Sequence, residues 1–186
     1  MDPTSLPNDL PIPIDDGACD HLPGVEMPAI ELASTMGSPR VLDQVSSRWL
    51  VLYVYPRTGG PDIDLPDDWD LIPGARGCTP QSCAFRDHHS ELRELDATVW
   101  GVSTQPMAEQ VEFTERMHIP FPLLNDSALQ LTQPPLQLPT FTAAGTTLYK
   151  RVTLIAEHGK IAKVFYPVFP PDRNAADVIE YLTSLV

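Results

Sequence analysis

Two cysteines five residues apart, Cys78 and Cys83, mark the stretch Gly77-Cys78-Thr79-Pro80-Gln81-Ser82-Cys83-Ala84-Phe85-Arg86-Asp87. Pro80 fits the first turn of a helix, where a missing N–H costs nothing, and a helix is expected from about Thr79 to Leu95. A sulfur at a helix start lies beside unpaired backbone N–H groups and the positive end of the helix dipole. That setting favours thiolate over thiol, and the thiolate is the nucleophile. The stretch reads as a redox-active dithiol, with Cys78 attacking and Cys83 resolving. On an unbroken helix, residues five apart have Cα atoms roughly 8–9 Å apart, beyond the ~7 Å reach of a disulfide. Forming the bond must therefore unwind the first turn or two. Until then Cys78 is free to meet an outside oxidant, and the resulting sulfenic acid condenses with Cys83. A Cys-x-x-Cys spacing would favour direct disulfide exchange instead. A cation would strengthen the thiolate; Arg76 is near in sequence and Arg151 is a candidate from a distant strand, and periodicity does not choose between them.

The other reactive side chains point elsewhere. Cys19 sits in Asp15-Asp16-Gly17-Ala18-Cys19-Asp20, where acidic neighbours disfavour a thiolate. His88 and His89 lie near Cys83, but sequence neighbours on a helix face different ways, so no metal site is expected. Lysine and arginine number 12 against 25 aspartates and glutamates, a net charge of −13. That balance argues against nucleic acid or an anionic membrane as partner. No run approaches the roughly 18 apolar residues of a transmembrane helix, and the acidic start is not a secretory signal. Three cysteines without such a signal suggest a reducing, cytoplasmic compartment.

The elements that must hold the dithiol can be read in order. Residues 1–21 form an extended arm rich in proline and aspartate, and 22–186 a single domain. Met27–Leu32 reads as a short strand, and Trp49–Tyr55 as a strand buried on both faces. Residues 57–76 are an acidic, turn-rich insertion, a surface loop pinned by Trp69, Leu71 and Ile72 and covering something. Beyond the cysteine helix come a strand at Thr98–Ser103, a helix from Gln105 to about Met117 and a strand and turn at Phe121–Asp126. Thr147–Ile155 and Lys160–Tyr166 read as a hairpin, and Asn174–Val186 as the closing helix. The order implies an α/β, thioredoxin-like fold with a central mixed β-sheet flanked by helices.

With those residues in place, Gly77 to Asp87 resembles the peroxiredoxins, specifically the bacterioferritin comigratory protein or Q-type branch. Tyr53-Val54-Tyr55-Pro56, Gly101-Val102-Ser103 followed by Phe121 to Asp126, and Lys150 to Ile155 leading to Gly159-Lys160-Ile161 agree in order. The resemblance implies reduction of hydrogen peroxide and organic hydroperoxides without metal, haem or other cofactor. Cys78 matches the peroxidatic cysteine, Cys83 the resolving cysteine, and Arg151 the arginine that contacts the thiolate and the peroxide oxygens. A guanidinium suits that task because it stays charged and donates to two atoms at once. Thioredoxin or a similar dithiol would return the electrons, and the chain would be a monomer or dimer. The family's proline and its hydroxyl residue, three before the cysteine, are replaced here by Leu71 and Ala75. Pro56 and Thr58 look like the start of that motif, displaced by the insertion. Either Thr58 folds back to supply the hydroxyl, or Thr79 or backbone amides substitute, or activity is reduced. A non-catalytic redox sensor and a thiol–disulfide reductase are the competing readings.

Overall fold

The computed structural model describes residues 6–7, 9–61 and 63–185. Pro3 of the expected arm, Asp62 of the insertion and Val186 of the closing helix lie outside them. The strands are β1 (Glu31–Ser34), β2 (Arg40–Val41), β3 (Trp49–Val54), β4 (Ala97–Ser103), β5 (Leu123–Asn125), β6 (Thr140–Ala143), β7 (Thr146–Tyr149), β8 (Val152–Glu157) and β9 (Lys160–Phe165). The helices are α1 (Cys78–Asp87), α2 (His89–Glu94), α3 (Met107–Met117) and α4 (Asn174–Thr183).

β3 is an interior strand of a seven-stranded mixed sheet in the order β2-β1-β5-β4-β3-β8-β9. It runs parallel to β4, with Val51 opposite Val99, and antiparallel to β8, with Val51 opposite Ile155. Every residue of β3 is buried, as its unbroken apolar sequence requires of a strand covered on both faces. Its side chains alternate between two cores. Leu50, Leu52 and Val54 join loop residues such as Leu22, Leu131, Leu136 and Leu138. Trp49, Val51 and Tyr53 join Phe85 of α1, Leu92 of α2, Phe113 of α3, and Val178 and Leu182 of α4. Cys78 belongs to this second core. The fold is thus the expected thioredoxin-like one, with irregular segments closing one face of the sheet.

Three departures from expectation bear on the site. The cysteine helix bends at His88, whose backbone leaves helical geometry while its N–H still bonds the Ala84 carbonyl. β1 begins four residues after Met27, whose N–H is taken by the Gly159 carbonyl. The segment 147–155 is not one strand. β7 turns away to pair with β6 across Ala144-Gly145, both at positive φ, and β8 starts only at Val152. The break falls at Lys150-Arg151 because both leave the ladder. The Lys150 N–H bonds the Pro139 carbonyl, and the Arg151 side chain turns inward. No helix among the described residues is long and apolar enough to cross a membrane.

The N-terminal arm is fastened near this break. Asp16 pairs with Lys150 at 2.6 Å and accepts a hydrogen bond from the Tyr166 hydroxyl at 2.7 Å. The Lys150 ammonium, then the Tyr166 hydroxyl, pull the Asp16 carboxyl down to about 2. Cys19 follows in a turn and is buried in the first core.

Candidate active site

α1 begins at Cys78 because Gly77 allows it to. Gly77 has φ 105°, and a Cβ there would stand 2.3 Å from Pro171 Cγ and 3.0 Å from Leu6 Cδ2. Both the left-handed backbone and the close approach demand glycine. α1 is then held against the sheet by Phe85, stacked on Tyr53 at 4.6 Å, and by the Tyr53 hydroxyl donating to Ser82 Oγ at 3.1 Å. The first turn is buried, and Cys78 is 2% exposed.

Of the two cations considered, Arg151 is the one at the sulfur. Its Nη2 lies 3.2 Å from Cys78 Sγ. The same nitrogen faces the carbonyls of Gly74, Ala75 and Arg76 at 3.2, 3.0 and 3.1 Å. Nη1 donates to Gln81 Oε1. A guanidinium buried to 3% exposure is tolerated because carbonyls and an amide surround it. Arg76 instead pairs with Asp70 at 3.2 Å. Cys83 lies on the same helix, 6% exposed, five residues from its start.

Cys19 is remote from this chemistry. Burial first, and Asp16, Asp15 and Asp20 second, push its thiol up to about 12. Such a thiol is inert at neutral pH. His88 pairs with Glu91, and His89 packs on the Phe121 ring at 5.4 Å, where burial lowers its pKa.

Cys78 opens onto a chamber of about 490 Å³. Gly77, Thr79 and Pro80 line it together with Arg57, Gly60, Ile63, Asp64, Leu65 and Trp69 and with Arg116 of α3. The insertion therefore covers the cysteine. It is pinned by Trp69, 3% exposed, which packs with Ala75, Ala143 and Leu148, 6.3 Å from the Phe141 ring. Ile72 joins this cluster, but Leu71, expected to help, is 76% exposed. The cluster needs the β6–β7 hairpin, so the sequence reading missed the partner together with the hairpin.

The missing hydroxyl is not restored by Thr58. That residue is buried, and its Oγ1 donates to Gln105 Oε1 at 3.1 Å, while Gln105 Nε2 donates back to the Thr58 carbonyl at 3.0 Å. Gly77, Thr79 and Pro80 line the chamber beside Cys78, and Thr58 is not among its lining residues. Gln81 and Asn174 were also missed: Gln81 Nε2 donates to Asn174 Oδ1 at 2.9 Å. Gln81 stands four residues before Phe85, on the face that α1 buries, and a polar amide there was the available sign.

Residues 22–179 match the protein-family model described as Redoxin. The chain is 33% identical over 110 residues to peroxiredoxin Bcp of Bacillus subtilis, covering 59% of this chain and 60% of that protein. It is 26% identical over 165 residues to a putative chloroplastic peroxiredoxin Q of Oryza sativa subsp. indica, covering 87% of this chain and 67% of the relative. Among solved structures, peroxidoxin BcpB of Mycobacterium tuberculosis superposes with a TM-score of 0.72 at 26% identity, covering 89% of this chain and 98% of that one. A cysteine-to-serine mutant of Xanthomonas campestris peroxiredoxin Q gives 0.67 at 20% identity, covering 96% and 100%, a likeness of fold.

Proposed function

This chain belongs to the redoxin family, matched from residue 22 to 179, and on that premise we propose that it is a thiol peroxidase acting through Cys78. The observation that carries the reading is Arg151 Nη2 at 3.2 Å from a sulfur that starts a helix and faces a chamber. Cys78 Sγ attacks one peroxide oxygen and the O–O bond breaks. The departing oxygen takes a proton and leaves as water or an alcohol, and Cys78 is left as a sulfenic acid. Arg151 stabilises the charge that develops on the departing oxygen, in a site already desolvated. Thr79 and the amides of the first turn supply donors in place of the hydroxyl absent at Ala75. The Cys83 thiol then attacks the sulfenic sulfur: an S–S bond forms, an S–O bond breaks and water leaves. Thioredoxin or a similar dithiol supplies two electrons to reduce the disulfide.

The chamber supports organic hydroperoxides as substrates beside hydrogen peroxide. A water molecule takes about 30 Å³ of liquid, so a two-oxygen substrate fills a small part of 490 Å³. Ile63, Leu65 and Pro80 offer apolar wall for a substituent. The arginines there are engaged by carboxylates, Arg57 by Glu109, Arg76 by Asp70 and Arg116 by Glu112.

The test is NADPH-linked turnover with thioredoxin and its reductase, using hydrogen peroxide and cumene hydroperoxide. Wild type turns over continuously. Cys83→Ser consumes about one equivalent and then falls at least ~10-fold, since the sulfenic acid has no partner thiol. Undiminished thioredoxin-linked turnover by Cys83→Ser would refute the resolving role. Stoichiometric oxidation of wild type without turnover would favour a redox sensor, and activity on disulfides alone a reductase.

A further inference from the structure

We propose that a second cavity, which Arg151 lines and Cys78 does not, binds a small aliphatic carboxylate that competes with the Cys78 thiolate for the guanidinium charge. The cavity measures about 240 Å³. Pro13 and Ile14 of the arm, Ile72 of the insertion, Phe141 of β6 and Val168 give it apolar wall. Its cations are Lys150 and Arg151. The Lys150 ammonium is held by Asp16. Arg151 has no such partner among the described residues: Nη1 donates to the Gln81 amide, and Nη2 faces three carbonyls and Cys78 Sγ. Its Nε is buried and has no hydrogen-bond partner among the described residues. A donor left unpaired on a buried charge is costly, and a carboxylate oxygen is the acceptor that satisfies it most strongly. Apolar walls around one charged donor fit an amphipathic ligand. At about 30 Å³ for a water-sized unit, the cavity holds roughly eight non-hydrogen atoms, the size of hexanoate.

The guanidinium has one charge to share between two anions. Through Nη2, 3.2 Å from Sγ, it favours the thiolate. A carboxylate at Nε draws on the same charge and repels a negative sulfur, so each anion weakens the other by the same factor. The ligand therefore lowers the reactivity of Cys78 without entering the chamber that the sulfur faces. By the same linkage, a chain with no negative sulfur binds the ligand more tightly. Ile14 gives access to the cavity for a test, because it is 84% exposed and its replacement leaves the core intact.

Calorimetric titration of hexanoate and of neutral hexanol into wild type, Ile14→Asp and Cys78→Ser tests the site, and iodoacetamide alkylation of Cys78 tests the competition. Hexanoate is expected to saturate wild type with a Kd on the order of 1 mM, and hexanol to bind at least ~10-fold more weakly. Ile14→Asp removes apolar wall and adds a like charge; it should weaken hexanoate about tenfold and leave alkylation without ligand within about twofold of wild type. Cys78→Ser should bind hexanoate severalfold more tightly than wild type, and saturating hexanoate should slow Cys78 alkylation severalfold. Absence of saturable binding overturns the proposal. So does binding that Ile14→Asp leaves untouched, which would put the carboxylate in the chamber at Cys78. Equal affinity in Cys78→Ser and wild type overturns the competition. The competition rests on Cys78 reacting as a thiolate beside Arg151, not on peroxide chemistry. A wild type that behaves as expected toward hexanoate and iodoacetamide but turns over no peroxide would remove the peroxidase reading and leave this site standing.

Discussion

Replacing Cys78 by serine abolishes peroxide consumption. The loss is expected to exceed ~10³-fold, because a serine hydroxyl is un-ionised at neutral pH and cannot match a thiolate as nucleophile. The fold should persist. Cys78 is buried in the core of the helix-covered face, but Ser is close to its shape and the neighbouring Ala75 carbonyl, 3.6 Å from Sγ, can accept from a hydroxyl. Circular dichroism and melting of Cys78→Ser should resemble wild type while hydrogen peroxide and cumene hydroperoxide both go unreduced. Residual thiol-dependent consumption above a tenth of wild type would shift the chemistry to another sulfur.

Arg151→Met is the next largest effect. It is expected to lower the second-order rate constant for peroxide about 10²- to 10³-fold, the range measured when one preorganised donor at a developing oxyanion is removed. Stability falls as well. The guanidinium bridges the carbonyls of Gly74, Ala75 and Arg76 and the Gln81 amide, and buried acceptors left unpaired cost about 1–3 kcal/mol each. Arg151→Lys separates the two contributions. An ammonium restores positive charge near the sulfur but cannot span this set of acceptors, so it should recover part of the rate and little of the melting temperature. Rate and melting temperature returning together would mean that Arg151 acts through the fold alone.

The legible parts of this molecule were those fixed by local sequence. The unbroken apolar run of β3 could only be a doubly covered strand, and Pro80 after Gly77-Cys78 set the helix start. Motif order supplied Arg151, which periodicity could not have chosen over Arg76. What escaped notice depends on contacts between distant segments. The insertion reads as a loop until Trp69 is seen against Phe141 and Leu148 of the β6–β7 hairpin. That hairpin was hidden inside an apparently continuous strand, because Lys150 and Arg151 break the ladder with long-range bonds. Gln81 shares the buried face of Phe85, but its partner Asn174 lies 93 residues away. Thr58 looked available for the sulfur, but Gln105, 47 residues on, satisfies its hydroxyl.

The central claim is that Cys78 Sγ, beside Arg151, is the atom that breaks the O–O bond. Treating Cys83→Ser protein with one equivalent of hydrogen peroxide in the presence of dimedone, followed by peptide mass spectrometry, tests it most directly. The expected result is a single adduct at Cys78, near one per chain, with Cys19 unmodified. An adduct at Cys19, or none at Cys78 while peroxide is consumed, would contradict the account.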